Sequence, residues 1–447
     1  MKLSIDQTRA AFQDPLASFV KNSCLFILLT LLSGNAFAQQ ELQVHHINIE
    51  NGDATMIGIY DIPSHRYISK TLIDGGMSKP GDLLLPYLHK VAGADTSGTH
   101  FNYIILTHYH TDHYNGLLAM KTGELTADSL VDPGGYDFQR YFPNQPALQQ
   151  LTAAHPDVML IPKNWTNMLS AAMALQPAAI RGHSQLMVSF TNNEQSGIGH
   201  QLVLGKIGDL PVTLECVAGW GNTRTGRANA INPMPGDSSE NNFTLSFLLR
   251  CGEFRYFIGG DLAGVTNSQY IDQEEPLSGY FAIAVPLAHP ISGQGNLTGH
   301  ICGFKADHHG SKTSNVATFM QAMTPSIVVT SAGNKKGWHL PNELFLTRLV
   351  DVHAASETTG NPGRGLYFTN LYDWGTGMNS LTKAKNLFAG KPGISFDYGN
   401  NNGHKAGYVI RVKPGNLRTE SDFEVDRVDI SQTPLFSLLA SYRCHHQ

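Results

Sequence analysis

The chain has 447 residues, of which 41% are hydrophobic and 15% charged, and its formal net charge at pH 7 is −5. This apolar fraction is enough for a full core, so a disordered chain and a coiled coil are excluded. Lys and Arg number 31 against 36 Asp and Glu, which argues against a dedicated nucleic-acid-binding module. The function must therefore be sought in local motifs.

Residues 1–38 have the pattern of a cleaved signal peptide. Lys21 precedes the apolar run CLFILLTLL at 24–32, and AFA at 36–38 is the small-x-small pattern that precedes a cleavage site. The run is shorter than the about 20 apolar residues that span a bilayer, and a buried helix is the alternative. We expect cleavage after Ala38 and a periplasmic or secreted chain without a transmembrane segment.

Short β-branched or aromatic runs that end at Gly, Asp or Asn predict strands from Leu42 onwards. They are LQVHHINI, ATMIGIY, KTLIDGG and YIILTHYH, with the helical KPGDLLLPYLHKV before the last. Residues 120–200 show little periodicity and are interpreted as an insertion with short helices in a domain spanning 39–350. Strands return with LPVTLECVA, FTLSFLLRCG, FRYFIGGD and SIVVTSAG. Residues 351–447 are interpreted as a C-terminal extension that completes or caps the same domain.

The cysteines do not form a zinc-binding pattern. Cys24 would leave with the signal peptide, and Cys216, Cys251, Cys302 and Cys444 have no C-x-x-C spacing. One or two disulfides are compatible with an oxidising compartment, without an assignable pairing. Cys216 and Cys251 lie beside strand-like runs and are interpreted as small buried residues.

Three histidines and one aspartate directly follow the strand YIIL: His108, His110, Asp112 and His113. Packing does not explain them, because burying so many polar groups without partners would cost several kcal/mol. In an extended stretch His108 and His110 project to the same side and can bind one ion. The turn that follows directs Asp112 and His113 to a second position. Imidazole and carboxylate suit Zn²⁺, with Mn²⁺ or Fe²⁺ as alternatives.

HYHTDH resembles the H-x-H-x-D-H signature of the metallo-β-lactamase-fold superfamily, and further motifs follow in the family's order over about 45–350, except in the insertion. INIENGDATMI resembles the V-G-x-G-D-A opening of ComEC-type DNA-uptake proteins, and TLIDGG their L-I-D-T-G. NNFTLSFLLRCGEFRYFIGGD is similar to N-x-S-L-V-L…F-L-L-T-G-D, KADHHGSKTSN to H-H-G-S-K-x-S, and SAGNKKGWHLPNE to S-x-G…H-P. The resemblance implies an α/β chain, an αββα metallo-β-lactamase sandwich with an insertion and a C-terminal extension. It further implies the ComEC-like branch, which includes secreted phosphorylcholine esterases.

The same resemblance implies further metal-site residues around two divalent ions. Asp261 is expected to bridge the ions, and His309 to complete the ligands of the second ion. Asp74 is expected behind a ligand imidazole, to which it would hydrogen-bond, with a plain Asp-Gly-Gly turn as the alternative. Asp53 is expected in a similar place.

Catalytic and substrate-binding residues are implied in the same way. Asp112 and His308 are expected to take part in catalysis, with His308 facing the substrate. His339, at the family's H-P position, is expected to donate a proton or bind a phosphate oxygen, with an ordinary loop histidine as the alternative. Ser311 and Lys312 are expected to bind an anionic oxygen.

One departure concerns the first ion. Lactamases and glyoxalases of this superfamily place a third histidine in a P-G-H turn, whereas this chain has GWG at 219–221 after VTLECVA. Asn242, Glu240, His183 and His200 remain as alternatives for that position.

Two divalent ions ~3.5–4 Å apart activate a shared water, polarise the bond under attack and stabilise the leaving oxygen. No Ser or Cys nucleophile is then required, and the chain has no G-x-S-x-G motif. The ligands predict hydrolysis, and the branch resemblance implies a phosphodiester, from nucleic acid or a phosphocholine-type envelope molecule. The alternatives are a lactone, thioester or β-lactam hydrolase, against which the missing P-G-H histidine counts, and a binding protein with an idle metal site. No oligomeric state is predicted.

Overall fold

The computed structural model describes residues 40–77, 83–91, 99–118, 125–133, 180–185, 198–219, 221–225, 228–231, 239–282, 301–333, 337–357, 364–373, 379–401, 404–413 and 421–444. The predicted signal peptide and most of the predicted insertion lie outside these ranges. Among the described residues, no helix combines the length and the apolar character needed to cross a membrane.

The described residues form strands and six α-helices, numbered here in chain order. The strands are β1 (Gln40–His46), β2 (Thr55–Asp61), β3 (Arg66–Ile73), β4 (Thr99–Ile105), β5 (Leu125–Asp132), β6 (Ile180–Gln185), β7 (Gln201–Ile207), β8 (Leu210–Gly219), β9 (Asn222–Thr225), β10 (Ala228–Ile231), β11 (Ser246–Cys251), β12 (Phe254–Ile258), β13 (Gly303–Lys305), β14 (Ile327–Thr330), β15 (Arg364–Phe368), β16 (Ile394–Tyr398), β17 (Gly407–Val412), β18 (Ser421–Val428) and β19 (Phe436–Cys444). The helices are α1 (Leu84–Val91), α2 (Thr111–Leu118), α3 (Glu274–Ala282), α4 (Ala317–Met323), α5 (Glu343–Glu357) and α6 (Ser380–Phe388).

The strands form two mixed sheets. The first has the order β19-β18-β17-β1-β2-β3-β4-β5-β6, antiparallel from β19 to β3 and parallel from β3 to β6. The second has the order β10-β9-β8-β11-β12-β13-β14-β15-β16, with β7 also paired to β8. In the second sheet β12 to β16 are parallel. The fully buried runs of β12 and β14 are typical of parallel strands covered on both faces.

Alternation along the strands assigns side chains to the layers. In β1, Leu42 and Val44 join the core between the two sheets, where they meet residues of the second sheet such as Phe247. The opposite face of the first sheet packs on α1, and the opposite face of the second sheet packs on α3 to α6. The predicted αββα sandwich is therefore confirmed.

The C-terminal part of the chain contributes strands to both sheets. β15 and β16 extend the second sheet, and β17 to β19 extend the first beyond β1. The part of 120–200 that is described includes β5 and β6, which lie at the other end of the first sheet, and residues 198–200, which lead into β7 of the second sheet.

A disulfide joins Cys302, just before β13, to Cys444 at the end of β19, and so links the two sheets. It closes a loop with a sequence separation of 142 residues. Cys216 and Cys251 are free and buried, which confirms their interpretation as small core residues.

Candidate metal centre

The candidate site lies where strands of both sheets end. β4 leads into the segment 107–113, β12 leads into Asp261, and β13 leads into a short 3₁₀ turn, Asp307–Gly310. Crevices outside the carboxyl ends of parallel strands are the usual place for ligands in α/β sheets. The sandwich thus brings together motifs that are far apart in the sequence.

Two groups of side chains have ligand atoms close enough to share a metal ion. The inner group contains Asp53, His113, Asp261 and His309, all of them buried. The outer group contains His108, His110 and the same Asp261. Within each group the ligand atoms lie within 4.8 Å of one another. His110 is only half-buried, so the outer group is the one nearer to solvent.

Asp261 lies between the histidines of the two groups. Its Oδ1 is 3.3 Å from His113 Nε2 and 3.6 Å from His309 Nε2. Its Oδ2 is 3.6 Å from His108 Nε2. One oxygen thus faces the inner group and the other faces the outer group, as a bridging carboxylate requires.

Hydrogen bonds on the far side of the rings orient three of the histidines. His113 Nδ1 lies 2.8 Å from Asp74 Oδ2, and His309 Nδ1 lies 3.0 Å from the carbonyl oxygen of Ser331. The Thr107 hydroxyl donates to Asp74 and accepts from His108 Nδ1 at 3.1 Å. When only Nδ1 is protonated, as in a metal-bound ring, each Nε2 would present its lone pair toward Asp261, which is the arrangement found behind metal-bound histidines.

The donor atoms that face the centre of the inner group lack hydrogen bonds within the described structure. These buried atoms are His113 Nε2, His309 Nε2 and Asp261 Oδ1. Leaving a buried polar atom unpaired costs about 1–3 kcal/mol, so three converging on one point need a partner. A divalent cation meets that requirement, and the set of imidazole and carboxylate donors fits Zn²⁺.

The electrostatics of the two groups differ. In the inner group, burial alone would lower the pKa of His309, but the Asp261 and Asp53 carboxylates outweigh burial and raise the pKa to about 10. Likewise, Asp261 and Asp74 raise the pKa of His113 well above its usual value, against the effect of burial. In the outer group, burial lowers the pKa of His108 well below its usual value and also lowers that of His110.

Two backbone features allow the close packing of the site. Gly52 has φ +88°, and a Cβ there would lie 1.7 Å from the backbone oxygen of Asp112. The amide of the next residue, Asp53, donates to that oxygen at 3.1 Å. His308 and His309 have φ of 47° and 54°, a left-handed conformation that non-glycine residues rarely adopt and that is concentrated at functional sites.

Of the two remaining predicted aspartates, Asp74 lies behind His113, and Asp112 lies beside the inner group. Asp112 Oδ2 is 3.4 Å from His309 Nε2, and the His309 and His113 side chains lower the Asp112 pKa to about 2 against the effect of burial. Asp53, expected behind a ligand, has its Oδ1 3.6 Å from His309 Nδ1. Asp112 and Asp53 therefore approach the His309 ring from opposite nitrogens, Nε2 and Nδ1.

The predicted catalytic and substrate-binding residues lie around this cluster. His308 has 18% of its side chain exposed, and its Nε2 is 3.8 Å from Asp261 Oδ2. The Ser311 hydroxyl bonds to Thr313 Oγ1 at 2.9 Å, and Lys312 is exposed. His339 is half-buried and belongs to neither group; its loop meets the 3₁₀ turn where the Asn342 amide donates to the Gly310 carbonyl at 2.8 Å.

The alternatives for the missing P-G-H histidine have different surroundings. Both ends of the Asn242 amide bond to backbone groups, the carbonyl oxygen of Gln269 and the amide of Ile271. Glu240 Oε1 accepts from the Tyr109 amide at 3.4 Å, inside the histidine motif. His200 is exposed, and the side chain of His183 lies outside the described residues.

The sequence interpretation missed two residues beside the centre. The Nδ2 atom of Asn241, which is 1% exposed, lies 3.2 Å from both ring nitrogens of His308. Lys305 is 1% exposed and forms an ion pair with Asp53. A lysine inside the otherwise apolar ICGFKA was a signal for a buried charge at a site.

Comparison with known proteins agrees with this geometry over part of the chain. The model of the metallo-β-lactamase superfamily matches residues 69–123. That match supports the resemblance of this segment to the metallo-β-lactamase superfamily. The matched segment contains Asp74 and the histidine motif at 108–113.

The similarity to solved structures is low. The metallo-β-lactamase fold protein YhfI from Bacillus subtilis is 14% identical, with a TM-score of 0.35, over 83% of this chain and 99% of its own. A variant of the CmlA β-hydroxylase is 10% identical, with a TM-score of 0.35, over 74% of this chain and 52% of its own. No curated protein matches the chain.

Proposed function

We propose that the chain is a dinuclear metal-dependent hydrolase that acts on phosphodiesters. The observation that carries this proposal is Asp261, whose two carboxylate oxygens face two separate sets of histidines. His108 and His110 would bind the outer ion, and His113, His309 and Asp112 the inner ion, with Asp261 shared. We propose Zn²⁺ as the metal, because the donors are imidazole and carboxylate.

When bound, two such ions would activate water and stabilise charge on the oxygens of the reacting group. The side chains have separate tasks. Asp74 and the Ser331 carbonyl orient His113 and His309. His308, at the exposed edge, would contact the substrate. Burial lowers the His308 pKa to about 4, so the ring is neutral at pH 7 and can donate or accept one hydrogen bond.

The balance of charge favours a diester over a monoester. A phosphomonoester carries a charge of about −1.5 to −2 at pH 7, whereas a diester carries a single negative charge, so a site with fewer cationic side chains suits the diester better. Lys305, the buried lysine beside the inner group, is already engaged by Asp53 and by the Gly260 carbonyl. Lys312 is the exposed lysine that we propose for the remaining charge, together with Ser311. A place on the ComEC-like branch is part of this proposal and rests on the motif order alone.

The test is turnover by metal-free protein, beginning at Gln39, after addition of Zn²⁺ or Mn²⁺. Bis-p-nitrophenyl phosphate and p-nitrophenylphosphorylcholine are compared with nitrocefin and a homoserine lactone, each with and without EDTA, and with Asp261→Asn as the inactive control. We expect EDTA-sensitive cleavage of the diesters. Cleavage of only the carbonyl substrates would replace the phosphodiesterase with a lactone or lactam hydrolase. Metal binding without any turnover would favour a binding protein.

We also propose that the protein is exported and processed after Ala38. The Cys302–Cys444 disulfide supports this proposal, because structural disulfides form and persist mainly in oxidising compartments. Cell fractionation followed by N-terminal sequencing is the test. We expect the protein in the periplasm or the medium with Gln39 at its N-terminus; an unprocessed protein in the cytoplasm with reduced Cys302 and Cys444 would contradict it.

A further inference from the structure

Lys305 is a charged residue in the interior of the sandwich. In β13, Phe304 packs into the core between the second sheet and the helices, so Lys305 faces the other side, toward the first sheet. Only 1% of the residue is exposed. Removing an ammonium group from water is costly unless it is paired and hydrogen-bonded, so the surroundings of this amine must supply both.

One carboxylate and one backbone carbonyl at the candidate metal centre contact the Lys305 amine. Lys305 Nζ forms an ion pair with Asp53 and donates to the Gly260 carbonyl oxygen at 2.9 Å. Gly260 directly precedes Asp261, the residue shared by the inner and outer groups. Lys305 thus contacts Asp53, a carboxylate close enough to bind the inner ion. It also contacts the turn that carries Asp261, the proposed bridging carboxylate.

The position of Asp53 relative to His309 indicates how the ion pair between Lys305 and Asp53 affects the candidate metal site. Ser331 occupies the Nδ1 side of the His309 ring, and Asp53 lies on that same side at 3.6 Å. Asp112 lies on the Nε2 side, at 3.4 Å, where the inner ion would bind. If Asp53 had no cationic partner, its buried carboxylate would rotate toward the metal ions, because an unpaired buried charge is highly unfavourable.

We propose that Lys305 is a positioning residue that keeps Asp53 out of the metal ligands and anchors the turn before Asp261. This inference rests on the proposed metal centre. Asp53 then acts on the far side of His309, and Asp112 is the aspartate that binds the inner ion.

The proposal predicts an unusual combination for Lys305→Met. Loss of a buried positive charge removes repulsion toward the ions and frees Asp53 to bind them, so metal affinity rises about tenfold, or about 1.4 kcal/mol. Turnover falls, because an additional carboxylate occupies space needed by water and substrate. A purely structural lysine would give the opposite result for the metal, since a disturbed site binds it more weakly.

The experiment uses Co²⁺ as the probe, because its visible absorption bands report the number and type of ligands. Binding isotherms, visible spectra and turnover of bis-p-nitrophenyl phosphate are measured for the wild type, Lys305→Met, Asp53→Asn and the double variant. Lys413→Met is the matched control, since Lys413 also pairs with a carboxylate, that of Glu424, but is 52% exposed at the surface. Thermal unfolding of each metal-free variant checks that it is folded.

We expect Lys305→Met to bind Co²⁺ more tightly with altered bands, and Asp53→Asn to bind it more weakly with unchanged bands. The double variant should return to wild-type affinity and bands, because neither the freed carboxylate nor the unpaired amine is present. Unchanged affinity and bands in Lys305→Met, or altered bands in Asp53→Asn, would overturn the inference.

Two results keep the inference separable from the proposed function. If the wild type binds no Co²⁺, the proposed metal centre itself is wrong. If the wild type binds two ions but the variants do not respond as expected, only the proposed role of Lys305 is wrong. If Lys305→Met does not fold, the bands of Asp53→Asn decide alone, since they change only if Asp53 is a ligand.

Discussion

The inner and outer groups of the candidate metal centre share Asp261 but differ in how their histidines are supported. In the inner group, Asp74 and the Ser331 carbonyl bond to the far nitrogens of His113 and His309, and every member is buried. In the outer group, the Thr107 hydroxyl supports His108, but His110 is half-buried, and its Nδ1 lies 3.1 Å from His108 Nε2. A side chain held by bonds on its far side is preorganised for binding, whereas one that contacts another ligand must rearrange.

This difference indicates a division of work between the two positions. With His113, His309, Asp112 and Asp261 as the proposed ligands, the inner position would resemble a closed structural site, in which four protein donors surround the ion. The outer group has two histidines and one shared carboxylate, so an ion held there by these three donors would keep an open coordination position, as catalytic sites do. The missing P-G-H histidine would thus belong to the position nearer to solvent, where we propose that the substrate binds.

The largest effect is expected for Asp261→Asn, because it would remove the proposed ligand common to both groups. A neutral amide cannot bridge two cations, so both ions should be lost and turnover should fall to background. Substitution of a residue behind a ligand costs about 10–100-fold in metal affinity, and a shared ligand should cost more. Metal content after gel filtration and diester turnover are the measurements.

Asp422→Asn is the control for Asp261→Asn, because Asp422 pairs with Arg443 on the surface. Retention of one equivalent of metal by Asp261→Asn would show that the two groups do not depend on the same carboxylate.

Single histidine substitutions should separate the two positions. His113→Ala removes a ligand of the inner group, and because that group is the better supported, the tighter of the two binding phases should disappear. His110→Ala should remove only the weaker phase. Both variants should lose turnover, since the proposed reaction needs both ions. Calorimetric titration of Zn²⁺ into metal-free protein checks this, and loss of the same phase in both variants would contradict the separation.

Asp74→Asn should have a smaller effect, about 10–100-fold in metal affinity. Asp74 accepts from His113 directly and reaches His108 only through the Thr107 hydroxyl. The inner phase should therefore weaken more than the outer phase, and excess Zn²⁺ should restore turnover. Equal weakening of both phases would mean that Asp74 supports the two groups alike.

The ligand motif could be predicted from the sequence because it is local. His108, His110, Asp112 and His113 follow one strand, so the strand's direction alone brings them to one edge of the sheet. Asp261 and His309 also follow strands, and the order of the motifs indicated the αββα sandwich before any contact was known. Their roles as ligands stay predictions until metal binding is measured.

The sequence could not predict contacts that depend on topology. Lys305 and Asp53 are far apart in the chain and meet only because the two sheets pack face to face. The partner of Cys302 is Cys444 on the C-terminal strand, which no spacing rule indicates. The group that orients His309 is a backbone carbonyl, that of Ser331, which any residue could supply.

The smallest expected effect is a difference in how the two phases depend on pH. A histidine must be neutral to bind a metal, so an ion that displaces a proton binds more tightly as pH rises. In the inner group the pKa of His309 is raised to about 10, so at pH 7 the metal-free ring is protonated and the inner ion must displace that proton. In the outer group the pKa values of His108 and His110 are lowered, so both rings are already neutral at pH 7.

Between pH 7 and 8 the affinity for the inner ion should therefore rise about tenfold for each proton displaced, while the affinity for the outer ion stays nearly constant. Titration of Zn²⁺ in two buffers of different ionisation enthalpy measures the protons released in each phase. Proton release in the outer phase alone would reverse the assignment of inner and outer positions.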